Sequence, residues 1–165
     1  MFVRIDDFVA EWIRESEITE RVLKVLTDES LLQVISSDYR TLGEIAWHLV
    51  ESVNYMTAMG LSFGAPSKSE HIPLLAKSIV DEYGRISGDM IHAIKSQWTD
   101  TRLTETMNMG GEKWMNGASL RFVMMHQAHH RGQMTILMRQ SGLRAPDIYG
   151  PTREDWIEKG MEPLQ

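Results

Sequence analysis

Five consecutive residues, His126-Gln127-Ala128-His129-His130, hold three of the six histidines of this chain and carry its clearest chemical signal. Two imidazoles four residues apart stand one turn along a helix. They can aim ring nitrogens at a single ion about 2 Å away, the arrangement behind many zinc sites. A pair supplies only two ligands, so a third must come from elsewhere. His48, with Ile45, Leu49 and Ser52 on the same side of an earlier apolar segment, can supply it. A set of three histidines leaves a coordination position open to water or substrate, as catalytic sites do. A lone inward histidine is more often a core residue with one hydrogen-bond partner. Three of them without partners would cost about 1 to 3 kcal/mol each, and one ion would satisfy all three.

Helical geometry selects among the remaining candidates. At about 100° per residue, with His126 at zero, His130 falls at about 40°, and Ser119, Phe122, Val123, Gln133 and Leu137 lie within about 60°. This predicts a buried face centred near His126, with Arg121, Ala128, Arg131, Thr135 and Arg139 turned to solvent. His129 falls at the edge, a rim position. His71 and His92 read as solvated. Measured from His48, Tyr55 at about −20° and Ser52 at about 40° share the inward face, so both are candidates to give or take a proton beside the metal. Tyr55 is the candidate catalytic residue, and Glu51 flanks it. A zincin carries Glu directly after the first histidine of its pair as general base. Gln127 stands there instead, so that mechanism lacks its base.

The elements that must position these residues read as helices throughout. The first carries Phe2, Ile5, Phe8, Val9, Trp12 and Ile13, then Val22, Leu23 and Leu26, before Thr27-Asp28-Glu29 breaks the pattern. A short turn of helix is expected around Leu31 to Ile35. The second helix begins at Thr41, because Thr41-Leu42-Gly43-Glu44 is a capping box, and runs to about Met59, where Gly60 and the loop to Pro66 end it. The third spans about Ser69 to Trp98, with Pro73 tolerable only in its first turn. A Gly- and Asn-containing loop from Thr99 to Gly117 leads to the fourth, about Ser119 to Ser141, with Gly142 placed for a left-handed cap. Thr152-Arg153-Glu154-Asp155 starts one short C-terminal helix. Four such helices predict an all-α four-helix bundle, a single domain over 1–165, with its ligand site built from facing helices.

Composition excludes several roles. The 165 residues include 23 acidic and 17 basic side chains, a net charge of −6, the wrong sign for a protein that gains affinity by neutralising phosphates. Nucleic acid is not an expected partner. No uncharged apolar run approaches the ~18 residues of a membrane span, and Arg4, Asp6 and Asp7 interrupt any signal-peptide core. No membrane association and a cytoplasmic location are therefore expected. Cysteine is absent, so any thiol chemistry needs an external thiol. Twelve methionines suit a core that fills irregular gaps. Trp12, Ile148, Tyr149 and Trp156 are large for a small monomer to cover. They call for a tail folded back over the bundle or for a subunit interface.

The chain resembles the DinB/YfiT-like superfamily of metal-binding four-helix bundles. The resemblance rests on Thr41-Leu42-Gly43-Glu44-Ile45-Ala46-Trp47-His48, on His126-Gln127-Ala128-His129-His130-Arg131-Gly132-Gln133, and on Pro146-Asp147-Ile148-Tyr149-Gly150. It implies His48, His126 and His130 as the metal ligands, with His129 outside the set. It further implies zinc or nickel as the ion and homodimerisation. Relatives of known chemistry are S-transferases using bacillithiol or other low-molecular-weight thiols, and mycothiol-dependent isomerases. The function implied is a metal-dependent S-transferase that activates a small thiol against a small-molecule substrate. The alternatives are a metal-dependent hydrolase and a non-catalytic metal- or small-ligand-binding protein of the stress response.

Overall fold

A computed structural model describes residues 1–67 and 75–163. Four long helices form the bundle: α1 (Ile5–Lys24), α2 (Leu42–Val53), α3 (Ala76–Gln97) and α5 (Asn116–Gln140), with the short α4 (Asp100–Thr104) and α6 (Arg153–Glu158) attached. Both α1 and α2 pack against α3 and α5, so α2 and α5, the histidine-bearing helices, are direct neighbours. No helix among the described residues is long and apolar enough to cross a membrane.

Local chemistry accounts for the ends of these helices. The Thr41 hydroxyl accepts from Glu44 N at 3.1 Å and Glu44 Oε2 accepts from Thr41 N at 2.6 Å, closing the expected box. Thr152 and Asp155 close a second box at the start of α6. Gly60 (φ 87°) and Gly142 (φ 80°) adopt the left-handed conformation that ends a helix. Asp28 Oδ1 accepts from Ala76 N at 2.8 Å, holding the first turn of α3 against the loop after α1.

Several boundaries differ from expectation. The second helix is α-helical only to Val53 and tightens into a 3-10 segment over Asn54–Met59. The short turn lies at Glu29–Leu32 rather than Leu31 to Ile35. The expected start of the third helix, from Ser69 through His71 and Pro73, lies outside the described residues. The supposed loop of 99–117 contains α4 and a two-stranded antiparallel hairpin, β1 (Thr106–Met109) and β2 (Glu112–Met115). Gly110 and Gly111 turn it with φ of 60° and 96°. Helix α5 starts three residues early, at Asn116, whose amide donates to Glu105 O and whose side chain donates to Arg102 O, both at 2.9 Å. At Gly117 a Cβ would stand 1.9 Å from the Phe2 carbonyl oxygen, so only glycine lets the N-terminus cross α5 there.

The core is continuous from Phe8, Trp12 and Leu23 of α1 through Leu42 and Leu49 of α2 to Ile79, Tyr83, Ile86 and Met90 of α3. Met56, Met59, Met90, Met124, Met134 and Met138 are buried, as the gap-filling role of methionine anticipates. Trp12 is fully buried, and its indole N–H donates to Ser87 Oγ at 2.9 Å. It is unavailable to an interface. Ile148 packs on the core and Trp156 is half-buried, so the tail does fold back over the bundle.

The orientation of α5 corrects the sequence reading. Ser119, Val123, His130 and Leu137 are buried as expected, but so are Leu120, Met124, Gln127, Arg131, Met134 and Met138, which moves the centre of the buried face about 90° around from His126. Phe122 and Gln133, expected inward, are exposed, and Arg131, expected in solvent, has no exposed surface. Arg131 is buried because partners surround it. Its Nη1 donates to Glu15 O and Thr19 Oγ1, both at 2.8 Å, and its Nη2 donates to the Glu15 carboxylate and the Tyr149 hydroxyl. Such pairing is what a buried guanidinium requires.

Candidate functional site

His48 in the middle of α2 and the His126/His130 pair on α5 meet at one flank of the α2–α5 contact. The Nε2 atoms of His48 and His126 are 2.9 Å apart, and those of His126 and His130 are 3.2 Å apart. One nitrogen from each ring lies within 4.8 Å of the others, and among the described residues no carboxylate joins this group. His130 is buried and the other two are half-buried, leaving the cluster accessible from one side.

Protonation explains why this donor set suits a cation. Gln133 Oε1 lies 2.7 Å from His130 Nδ1, and an amide oxygen only accepts, so the proton of His130 sits on Nδ1 and its Nε2 presents a lone pair. A single proton among the three Nε2 atoms cannot satisfy all their contacts. An ion with bonds of about 2.0–2.1 Å at tetrahedral angles spaces its ligand nitrogens about 3.3 Å apart, close to the separations found. The electrostatics point the same way. Burial first, then the neighbouring His130, Arg40 and His126, lower the pKa of His48 to about 4. Burial and neighbouring histidines also lower those of His126 and His130. All three rings are therefore neutral at neutral pH, the form in which an imidazole can bind a metal.

The remaining sequence candidates separate clearly. His129 is exposed and outside the triad. Its Nε2 accepts from Gln133 Nε2 at 3.2 Å, so it steadies the amide that orients His130. Gln127 turns into the core, where its Nε2 donates to Leu49 O at 2.9 Å and Ser52 Oγ at 2.8 Å, bridging α5 to α2 beside the triad. Ser52 is spent on that bridge and is fully buried. Glu51 and His92 are exposed. Tyr55 sits on the 3-10 extension of α2, its ring centroid 6.3 Å from His48 and 5.8 Å from His126. Burial, then the Glu51 carboxylate, raises the pKa of its phenol, so it is a proton donor at neutral pH rather than a base.

Two cavities flank the cluster. One, of about 230 Å³, lies on the His130 side and is bordered by Tyr39, Arg40, Ile45 and Gln133. The other, of about 360 Å³, is bordered by Tyr55, Phe122 and the hairpin. Arg40 and the hairpin residues escaped the sequence reading. Arg40 precedes a helix cap and belongs to no motif, and the strands are too short to show an alternation.

A sequence profile of the DinB family matches residues 1–161. The chain belongs to the DinB family. A DinB-family relative, the uncharacterized protein YrdA of Bacillus subtilis (strain 168), is 45% identical over 163 residues, covering 98% of each chain. The crystal structure of a DinB-like protein from Bacillus cereus ATCC 10987 superposes with a TM-score of 0.84 at 40% identity, covering 90% of this chain and 100% of that one. A second DinB-like protein, YjoA of Bacillus subtilis, matches at a TM-score of 0.69 over 88% of this chain and 99% of that one. At 14% identity it attests the fold alone. The all-α DinB bundle is therefore the architecture of this chain, with the short hairpin lying between α4 and α5.

Proposed function

We propose that this DinB-family protein binds a divalent ion through His48, His126 and His130 and uses it as an S-transferase that activates an external low-molecular-weight thiol. The observation that carries the reading is the convergence of three imidazole Nε2 atoms, with contacts at 2.9 and 3.2 Å, between a cavity that His130 lines and a second one walled by Tyr55 and Phe122. Zinc and nickel both suit such a nitrogen set. A divalent ion held there would supply the Lewis acidity that makes a small thiol a thiolate near neutral pH.

The chain's own residues supply the rest. Gln133 fixes the tautomer and direction of the His130 ring. Arg40, bordering the cavity beside His130, is a cation suited to a carboxylate carried by the thiol. Tyr55, protonated at neutral pH and beside His126, is placed to donate to a departing group. In the transfer the thiol gives up its proton to solvent, sulfur bonds to an electrophilic carbon, and the bond from that carbon to the leaving group breaks. The leaving group departs with the electron pair and takes the Tyr55 proton, which solvent then restores. No cysteine of this chain can provide the sulfur.

The test is elemental analysis of protein purified without a histidine tag, followed by assays with glutathione, bacillithiol, mycothiol and a chromogenic electrophile, with and without metal. Metal-dependent thiol consumption is expected with at least one thiol. Rates equal to background throughout would remove the transferase. Ester or amide turnover in thiol-free buffer would replace it with the hydrolase, and bound metal without turnover would leave the binding protein. A two-fold homodimer belongs to the same reading. It is now supported by the exposed Met125 and Ile136 of α5 rather than by Trp12. Sedimentation at the mass of one chain would remove it.

A further inference from the structure

The 360 Å³ cavity is distinguished by what lines it. Tyr55 and Met59 come from the 3-10 extension of α2, Phe122 and Val123 from α5, and Trp114 and Glu112 from β2. Its size is at the lower end of the ~300–1,000 Å³ typical of small-molecule sites. The Trp114 and Phe122 rings meet edge to face at 5.5 Å, and Phe122 lies 5.8 Å from His126 at an interplanar angle of 30°. A continuous aromatic wall therefore runs from the hairpin to the histidine cluster.

One charge borders the cavity, the Glu112 carboxylate, which accepts from the Trp114 indole N–H at 2.9 Å. Its negative charge at an otherwise apolar mouth opposes anions through like-charge repulsion. Arg40, whose charge acts on all three histidines, borders the opposite cavity. The two sides of the cluster thus differ in polarity as well as position.

We infer that the Tyr55–Trp114–Phe122 cavity receives the apolar body of an uncharged, flat or aromatic small molecule and presents its reactive end to the histidine cluster. Carboxylate-bearing molecules are excluded on this side. The inference rests on the reading above for the word substrate, but the cavity's choice of ligand does not depend on a metal. Apolar area gives the affinity, because burying it removes it from water. The aromatic wall gives a preference for rings, which stack or meet edge to face. The hairpin, which sets Trp114 and Glu112 in place, is a specificity element rather than a connection.

The test titrates the neutral dye N-phenyl-1-naphthylamine into the full chain and follows dye fluorescence, with metal content measured on the same samples. One dye per chain with a micromolar Kd is expected. Ala58→Trp, which fills the cavity from an exposed position on the 3-10 segment, should weaken the dye at least tenfold with an unchanged melting curve. Ile35→Ala on the opposite cavity should leave it within twofold. In competition, 2-naphthylmethanol should displace the dye at least tenfold better than 2-naphthoate, and Glu112→Gln should narrow that gap. Dye binding indifferent to Ala58→Trp, or equal displacement by alcohol and carboxylate, overturns the inference even if metal is bound. Dye binding of the expected pattern in protein that takes up no metal sustains the cavity's ligand class and overturns the metal reading instead.

Discussion

His130 and Gln133, three residues apart on α5, meet through Nδ1 and Oε1 at 2.7 Å, while the amide nitrogen of Gln133 reaches His129 at 3.2 Å. The amide can satisfy both rings in only one orientation, and that orientation places the His130 proton away from the cluster. Gln133→Leu should therefore lower metal affinity about 10- to 100-fold, the usual effect of removing a hydrogen bond behind a ligand histidine. Since Gln133 is exposed, the melting temperature of the metal-free variant should barely move. Competition with a chromogenic chelator measures the first, and a thermal scan in EDTA the second.

The ligand assignment predicts a split among neighbouring histidines. His126→Ala and His130→Ala should each abolish tight metal binding. His129→Ala should retain one ion per chain, because its ring lies outside the nitrogen cluster. Isothermal titration of the three variants decides between them. Loss of the ion in His129→Ala alone would overturn the assignment.

Arg131 links α5 to α1 and to the tail through Glu15, Thr19 and Tyr149. Removing one member of a buried ion pair strands the other, typically at about 3 to 5 kcal/mol. Glu15 keeps some solvent contact, with 16% of its side chain exposed, so Arg131→Met should cost about 3 kcal/mol. Urea unfolding should show the loss, and adding Glu15→Gln to Arg131→Met should recover part of it.

The pKa of His48, lowered to about 4 from its ordinary 6.5, sets a pH dependence for the metal-free protein. The folded ring stays neutral where the unfolded ring already takes a proton. Acid therefore favours the unfolded chain. His48's contribution is complete above pH about 6.5 and is lost as pH falls from there toward 4, with His126 and His130 acting in the same direction. Urea midpoints in EDTA should drop between pH 7.5 and 5, and His48→Gln should flatten the drop. An unchanged midpoint in the parent protein would contradict the neutral triad.

Much of this molecule is legible in its residues alone, and the reasons are local. The capping boxes at Thr41 and Thr152 and the left-handed Gly60 and Gly142 close within a few residues, so their signals need no distant partner. The ring pair of His126 and His130 survives an error of about 90° in the placement of its helix face, since i, i+4 side chains stay adjacent however the helix is turned. The turn itself was decided by the tertiary structure. Apolar residues occupy opposite sides of α5, with Leu120, Met134 and Met138 buried but Phe122, Met125 and Ile136 exposed, so periodicity marks no single face. Arg131 lies inside because Glu15, Thr19 and Tyr149, far from it in sequence, are brought close enough to hydrogen-bond the guanidinium. The same holds for the cavity beside the triad: strands of four residues are too short to announce themselves, yet packed on α5 they set Trp114 against Phe122 and give the site its apolar wall.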